Sequence, residues 1–259
     1  MTMRPASIGR QAPGTLRQLT ALLRMELLAL WRNKTASAIS VVTPLVIGIF
    51  IAGGYDGGAV AGVENMTGVL AFVVVLGVHH HMITVYASRR QELVLKRLRA
   101  GLPSDGTILT GAASATLSIF LVQAVILGVY GVLALGLPAP ENPIFIALAL
   151  ALGGAVMAAF SAALSAVTRS AEAAMLTSLP TTIIFLATPG ALVSLGTYPD
   201  GVEAVARYLP LGPFAEVIRE GWLGHDVVDM LPALGVLAVW FVLALLLARA
   251  VFRWEPRTT

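Results

Sequence analysis

The sequence predicts an all-α fold: a polytopic membrane protein of six transmembrane helices preceded by an amphipathic helix lying in the membrane interface. Three observations carry this expectation. The residues are 57% hydrophobic and 12% charged, with a mean hydropathy of +0.84, whereas a soluble domain is roughly half apolar and about a quarter charged. The apolar residues gather into six long runs, and a helix crosses a hydrocarbon core with roughly 20 of them. The charges crowd into the short segments between the runs, so the length reads as one membrane domain rather than two soluble ones. Backbone polar groups must be paired inside lipid, and runs this continuous pair them as helices, since barrel strands would alternate.

Residues 1–14, with Pro5, Gly9, Pro13 and Gly14, predict a flexible tail. No cleavable signal is expected, because the first 35 residues are charged and the apolar stretch after them is too long for a signal core and lacks a small-residue cleavage pattern. Over 15–35, Leu16, Leu19, Leu23, Leu27 and Leu30 recur at gaps of three and four and share one helical face, with Arg17, Arg24 and Arg32 around it. Trp31 and Lys34 stand where an interfacial ring and a snorkelling amine anchor the turn into the bilayer.

The membrane domain, 36–259, places its spans at 36–54, 66–86, 107–135, 144–167, 174–195 and 231–251. In the fourth, Ala151, Ala155, Ala159 and Ala163 form one small-residue face and Gly154, Ala158 and Ala162 the next, which permits close helix packing. In the fifth, Pro180 and Pro189 predict a kink, with the hydroxyls of Thr177, Ser178, Thr181 and Thr182 available to the freed carbonyls. Between the fifth and sixth spans, 197–230 contains YLPLGPFAEVIREGWLG, too apolar for a solvated loop and too short to span, and predicts a segment that re-enters or lies at the outer surface. Its Glu216, Arg219 and Glu220 read equally as a solvated face with an i, i+3 ion pair.

Orientation follows from lysine and arginine. The N-terminal segment holds Arg4, Arg10, Arg17, Arg24, Arg32 and Lys34, and the connection after the second span holds Arg89, Arg90, Lys96, Arg97 and Arg99. Arg169, Arg249, Arg253 and Arg257 fall on the same side, against Arg207 and Arg219 on the other. Both termini are therefore expected in the cytoplasm. This distribution accounts for the net charge of +3 as a topology signal, and no nucleic-acid partner is expected.

The absence of cysteine excludes thiol nucleophiles, disulfide frameworks and thiolate metal sites together. Of the two lysines, Lys34 follows Asn33 and Lys96 follows Leu95, so neither completes the Gly-Lys-Ser/Thr cradle of a P-loop. If ATP drives this protein, another polypeptide binds it. The spans hold almost no Asp or Glu, which removes the paired acids of an intramembrane protease, and no catalytic residue is assigned. His79, His80 and His81 lie in the second span. Consecutive residues are about 100° apart on a helix, which argues against a metal site and leaves polar packing or a proton or substrate contact.

The segment YASRRQELVLKRLRAGLPSDG, 86–106, offers Leu93, Leu95 and Leu98 among basic residues, with Pro103 and Gly106 closing it before the third span. It reads either as a positive-inside loop or as a docking helix near 89–104. An amphipathic first helix, six spans, the pattern E-x-x-x-K-R-L-R-A-x-x-P after the second and a Pro-rich segment before the last resemble the type-2 ATP-binding-cassette exporter permeases over nearly the whole chain. That resemblance implies a coupling helix fitting a groove of a separate ATPase, at Glu92, Leu95, Lys96, Arg97, Leu98, Arg99 and Pro103. Where family members often have glycine two residues after the acidic position, this chain has Val94.

The resemblance further implies a bacterial plasma-membrane permease working as a homodimer or heterodimer, with no cofactor of its own and ATP and Mg on the partner. It implies outer short helices capping the path, and His79 to His81, Thr177, Thr181, Pro180 and Pro189 are the candidates for path or gating. The expected cargo is a drug, an antibiotic or another small amphiphilic compound, with a role in antibiotic resistance. The alternatives are a lipid-linked glycan exporter subunit, and a proton-coupled carrier that uses the histidines without an ATPase.

Overall fold

A computed structural model describes residues 20, 21, 23–25, 28, 41–54, 57–99, 104–188, 190–194 and 196–254. The tail 1–14, most of the interfacial helix with Trp31 and Lys34, and Pro103 and Pro189 lie outside the described residues. Residues 20, 21, 23–25 and 28 are helical, and from residue 41 onward nine helices follow in order among those described: α1 (Thr43–Gly53), α2 (Ala59–Gln91), α3 (Val94–Arg99), α4 (Asp105–Ala134), α5 (Pro143–Ser165), α6 (Ala174–Leu186), α7 (Asp200–Ala206), α8 (Leu211–Leu223) and α9 (Val227–Val251). No strand occurs among the described residues, so the all-α expectation holds.

Four of these, α2, α4, α5 and α9, have 33, 30, 23 and 25 residues and are long and apolar enough to cross a membrane. At about 1.5 Å per residue each exceeds the ~30 Å hydrocarbon core. Apolar α1 and α6 have 11 and 13 residues. The fifth expected span therefore does not stay helical to 195. It stops at Leu186, and Gly190, at φ +80°, turns the chain as its N–H bonds the Val193 carbonyl at 2.8 Å. Of the first expected span, 36–54, residues 36–40 lie outside the described set.

Local chemistry sets the ends. Proline opens α1 and α5, where a missing N–H costs nothing. The Ser104 hydroxyl caps α4 by accepting from the Thr107 N–H at 3.2 Å. Gly224, at φ +83°, closes α8 in the left-handed conformation.

The centre of the bundle is α2, buried almost continuously from Val63 to Ile83. Its middle, Val75–His80, widens into a π-helical turn. Helices α5 and α9 pack most extensively, and α5 turns Gly153, Gly154, Ala158, Ala162 and Ala163 inward while Ala151 is exposed. The face built on Gly154, Ala158 and Ala162 is thus the packing face. Outward, Val125, Val129 and Leu133 of α4 and Val239, Val242 and Leu246 of α9 are exposed, as lipid-facing residues should be.

Between α6 and α9 the chain makes two short helices. The Phe214 ring of α8 lies over Gly153, midway along α5, leaving no room for a Cβ there. The Tyr208 carbonyl accepts from Trp240 Nε1, midway along α9, at 2.6 Å. At the other end of α8 the Gly221 carbonyl accepts from the Asn142 N–H at 2.8 Å, at the very start of α5. The segment therefore descends to mid-height of the bundle and climbs back out along α8, wedged against α2, α5 and α9.

Candidate functional site

Two places gather the residues singled out by sequence. The first is the basic end of the bundle. At its corner the Ser88 hydroxyl donates to Glu92 at 2.7 Å, and Leu93 adopts a left-handed φ of +57°. That conformation is unusual for leucine and makes the sharp turn into α3. Val94, where family members often carry glycine, begins α3, and the left-handed residue is its predecessor.

Within α3, Leu95 is fully buried, Leu98 is half-buried, and Lys96 and Arg97 are exposed beside Leu93. Of the expected apolar docking residues, Leu95 is thus committed to the chain's own interior. Arg99 ends α3; its side chain, like Pro103, lies outside the description.

Sequence reasoning passed over Arg90 as one more positive-inside charge. The structure buries it, at 1% exposure, and its guanidinium donates to the Ser165 carbonyl at 2.8 Å and to the Thr168 carbonyl. Both acceptors close the end of α5, where a cation meets the negative end of the helix dipole. The neighbouring Gln91 Oε1 accepts from the Ala171 N–H at 3.1 Å. One signal was legible: Met82, Ile83, Tyr86 and Ala87, all buried, stand eight, seven, four and three residues before Arg90 on the same helical face. In the turn beyond, Arg169 and Glu172 are exposed, and the Ser170 hydroxyl, followed by the residue's own N–H, holds the Glu172 carboxyl below its usual range.

The second place is mid-bundle. The Ser161 hydroxyl donates to the Met157 and His79 carbonyls at 2.6 and 2.9 Å. His79 Nδ1, 3.0 Å from Ser161 Oγ, must then be the donor to it, and Nε2 accepts from the Thr181 hydroxyl at 2.9 Å. Thr181 has a second acceptor, the Ser178 carbonyl, at 2.9 Å. The cluster therefore completes its hydrogen bonds with the imidazole neutral or protonated. His80 Nδ1 donates to Ser178 Oγ at 2.8 Å, whose hydroxyl serves the Met175 carbonyl at 3.1 Å.

Two of the three histidines thus converge on α6, and the widened turn of α2 places them. His81 is half-buried one position further on. Thr177 donates to the Ala173 carbonyl at 2.9 Å, so these hydroxyls serve carbonyls other than that of Leu176, the one that Pro180 deprives of its N–H. An aromatic line continues from His79 through Phe185 at 5.1 Å, Phe160 at 5.9 Å and Trp240 at 5.8 Å. No group of three or more His, Cys, Asp or Glu side chains is placed to hold a metal among the described residues.

At the end opposite α3, a cavity of about 320 Å³ is lined by Asp200, Glu203, Arg207, Glu216 and Arg219, and one of about 280 Å³ by Glu64, Asn65, Ser194 and again Arg219. Arg219 pairs with its neighbour Glu220 at 2.9 Å, and Glu216 faces Arg207 at 3.9 Å, in place of an i, i+3 pair. Glu220 also meets His225.

Nodulation protein J of Rhizobium leguminosarum bv. trifolii is 36% identical over 73 residues, 28% of this chain, and the match spans about a quarter (27%) of that protein. A sequence model of the ABC-2 type transporter family matches residues 17–223, from the amphipathic stretch to the last residue of α8, and the chain therefore belongs to the ABC-2 type transporter family.

Proposed function

We propose that this chain is the permease subunit of an ATP-driven exporter, docked through α3 onto a separate ATPase that carries ATP and Mg. Membership of the ABC-2 type transporters and four helices long and apolar enough to cross a membrane support a multi-pass transport component. The observation that carries the finer reading is the corner at Leu93, which projects a short basic helix from the end of α2 with Lys96 and Arg97 turned outward.

In this reading the chain has six spans, two of them containing α1 and α6, and both termini lie in the cytoplasm of a bacterial cell. A second permease subunit completes the path, because one six-span chain has too little surface to wall it. The exposed Phe50 of α1 and Leu176, Leu179 and Ile183 of α6 are apolar surface available to that subunit. The histidine and hydroxyl cluster holds α6 against α2 and α5, so α6 is the gating element and Pro180 its weak point. The cargo is a small amphiphilic compound such as a drug or antibiotic.

The test is Leu93→Asp. Aspartate tolerates the left-handed conformation better than leucine and leaves the lysine and arginine count unchanged, so insertion should be normal. The carboxylate replaces an exposed apolar contact and offsets the positive charge of Lys96 and Arg97, and docking would take it out of water at a cost. Wild-type chain should co-purify with its ATPase and support substrate-stimulated hydrolysis, the chain alone should hydrolyse no ATP, and the variant should lose both partner and export. A variant that inserts, keeps its ATPase and exports normally would remove α3 from the docking surface.

A further inference from the structure

We infer that Arg90 is the positioning residue that ties the α2–α3 corner and the α5–α6 turn into one body, so that a push on α3 is delivered to α5 and α6 directly. This rests on α3 being the docking helix. A helix leaves its last four carbonyls without intrahelical partners, and those of α5 are all accounted for. Ala162 accepts from the Ser165 hydroxyl, Ala163 from the Ala166 N–H, and Leu164 from the Val167 N–H and the Thr168 hydroxyl. Ser165 accepts from the Thr168 N–H and from Arg90. The end of α5 is therefore capped without Arg90. What the guanidinium adds is a second bond to Ser165 and a bond to the Thr168 carbonyl in the turn beyond, both from another helix.

Three further contacts lie in the same frame. Gln91 holds the Ala171 N–H, three residues before α6 starts. Leu95, fully buried, fixes α3 to this body, and α3 packs on α2 and α4. His79 and His80 hold α6 again at mid-height. Helix α2 thus grips the root and the middle of α6, and Arg90 lies three residues before Leu93, the corner where α3 departs. A planar, forked donor aims separate N–H groups at two carbonyls of a turn in a fixed geometry, whereas an ammonium holds its three donors at one point on a flexible stem. A residue that only met the positive-inside bias would be equally well a lysine.

The chain has no cysteine, so the pair Gln91→Cys with Ala171→Cys is unique for a short thiol crosslinker and reads the tie directly. In detergent, without any ATPase, Arg90→Lys in this background should slow crosslinking by about tenfold, the scale set by losing one charge-assisted hydrogen bond. An unchanged rate overturns the tie. In proteoliposomes with the ATPase bound, Arg90→Lys and Arg90→Met should both retain the ATPase and hydrolyse ATP while export per ATP falls about tenfold or more. Crosslinking the cysteine pair should restore it.

Loss of export that a completed crosslink does not restore, or an undiminished ratio of export to hydrolysis in Arg90→Lys, overturns the positioning role. If instead the wild-type chain binds no ATPase, the docking reading of α3 fails while the crosslinking rate still judges the tie.

Discussion

His79 shows how one side chain constrains three helices at once. Its two ring nitrogens are spent on Ser161 of α5 and Thr181 of α6, and its ring edge meets Phe185 at 5.1 Å. Ser161→Ala removes the acceptor of the Nδ1–H where both residues are fully buried. It should destabilise the protein by about 1–3 kcal/mol, read as a lower Tm in detergent, whereas Thr177→Ala, whose hydroxyl only serves the Ala173 carbonyl of its own chain segment, should cost a few tenths at most. Equal losses would mean that the histidine does not depend on Ser161. The histidines were visible in the sequence because polar rings in an apolar run stand out. The partner of His79 on α5 was not, since Ser161 is one hydroxyl in an alanine-rich stretch, and the widened turn that aims His79 and His80 at α6 has no composition of its own. Arg90 was concealed differently, because a topology rule explained its charge before its burial could be asked about.

At the scale of elements, long apolar runs were legible and their interruptions were not. The four crossing helices match expectation to within a few residues except that α2 begins at Ala59 and α9 at Val227, because helix formation needs no more than continued backbone pairing. The fifth run failed as a single helix because hydropathy averages over a turn residue, and Gly190 at φ +80° redirects the chain in spite of its apolar neighbours. The wedge made by α8 depends on another glycine. A Cβ on Gly212 would run into the main chain of Arg207, and backbone cannot swing aside as a side chain can. Gly212→Ala should therefore cost about 1–3 kcal/mol. Gly201→Ala, with open space around it, should raise stability slightly through helix propensity, by about 0.5–1 kcal/mol. Paired thermal unfolding of the two variants checks this, and a Gly212→Ala protein as stable as wild type would contradict the tight entry into α8.

For the whole molecule, charge and packing agree on one asymmetric bundle. The end bearing α3 and the α5–α6 turn carries Arg89, Lys96, Arg97 and Arg169, and the Phe252 ring after α9 meets Tyr86 of α2 there at 5.5 Å. The C-terminal end of α9 and the basic connections thus share one side, which is the side a positive-inside bias assigns to the cytoplasm. A reporter fused after Thr259 should be active only in a cytoplasmic form, and activity of an exported reporter at that position would invert the topology. The sequence could rank the two ends by charge without any structure. It could not show that the polar cavities around Arg219 lie at the opposite end, because the residues lining them come from Glu64 in α2, Ser194 after α6 and Glu216 in α8, far apart in the chain.

The wedged position of α8 also orders events in time. Its apolar face is completed by α9, which follows it in the chain, and α5 likewise finds its most extensive neighbour only then. While the ribosome is still making residues beyond Val227, the segment 200–223 has α2 and α5 beside it but lacks the Trp240 indole that holds the Tyr208 carbonyl at mid-height. The position of this segment in the bundle is therefore complete only after α9 has been made and has joined α2 and α5 around it.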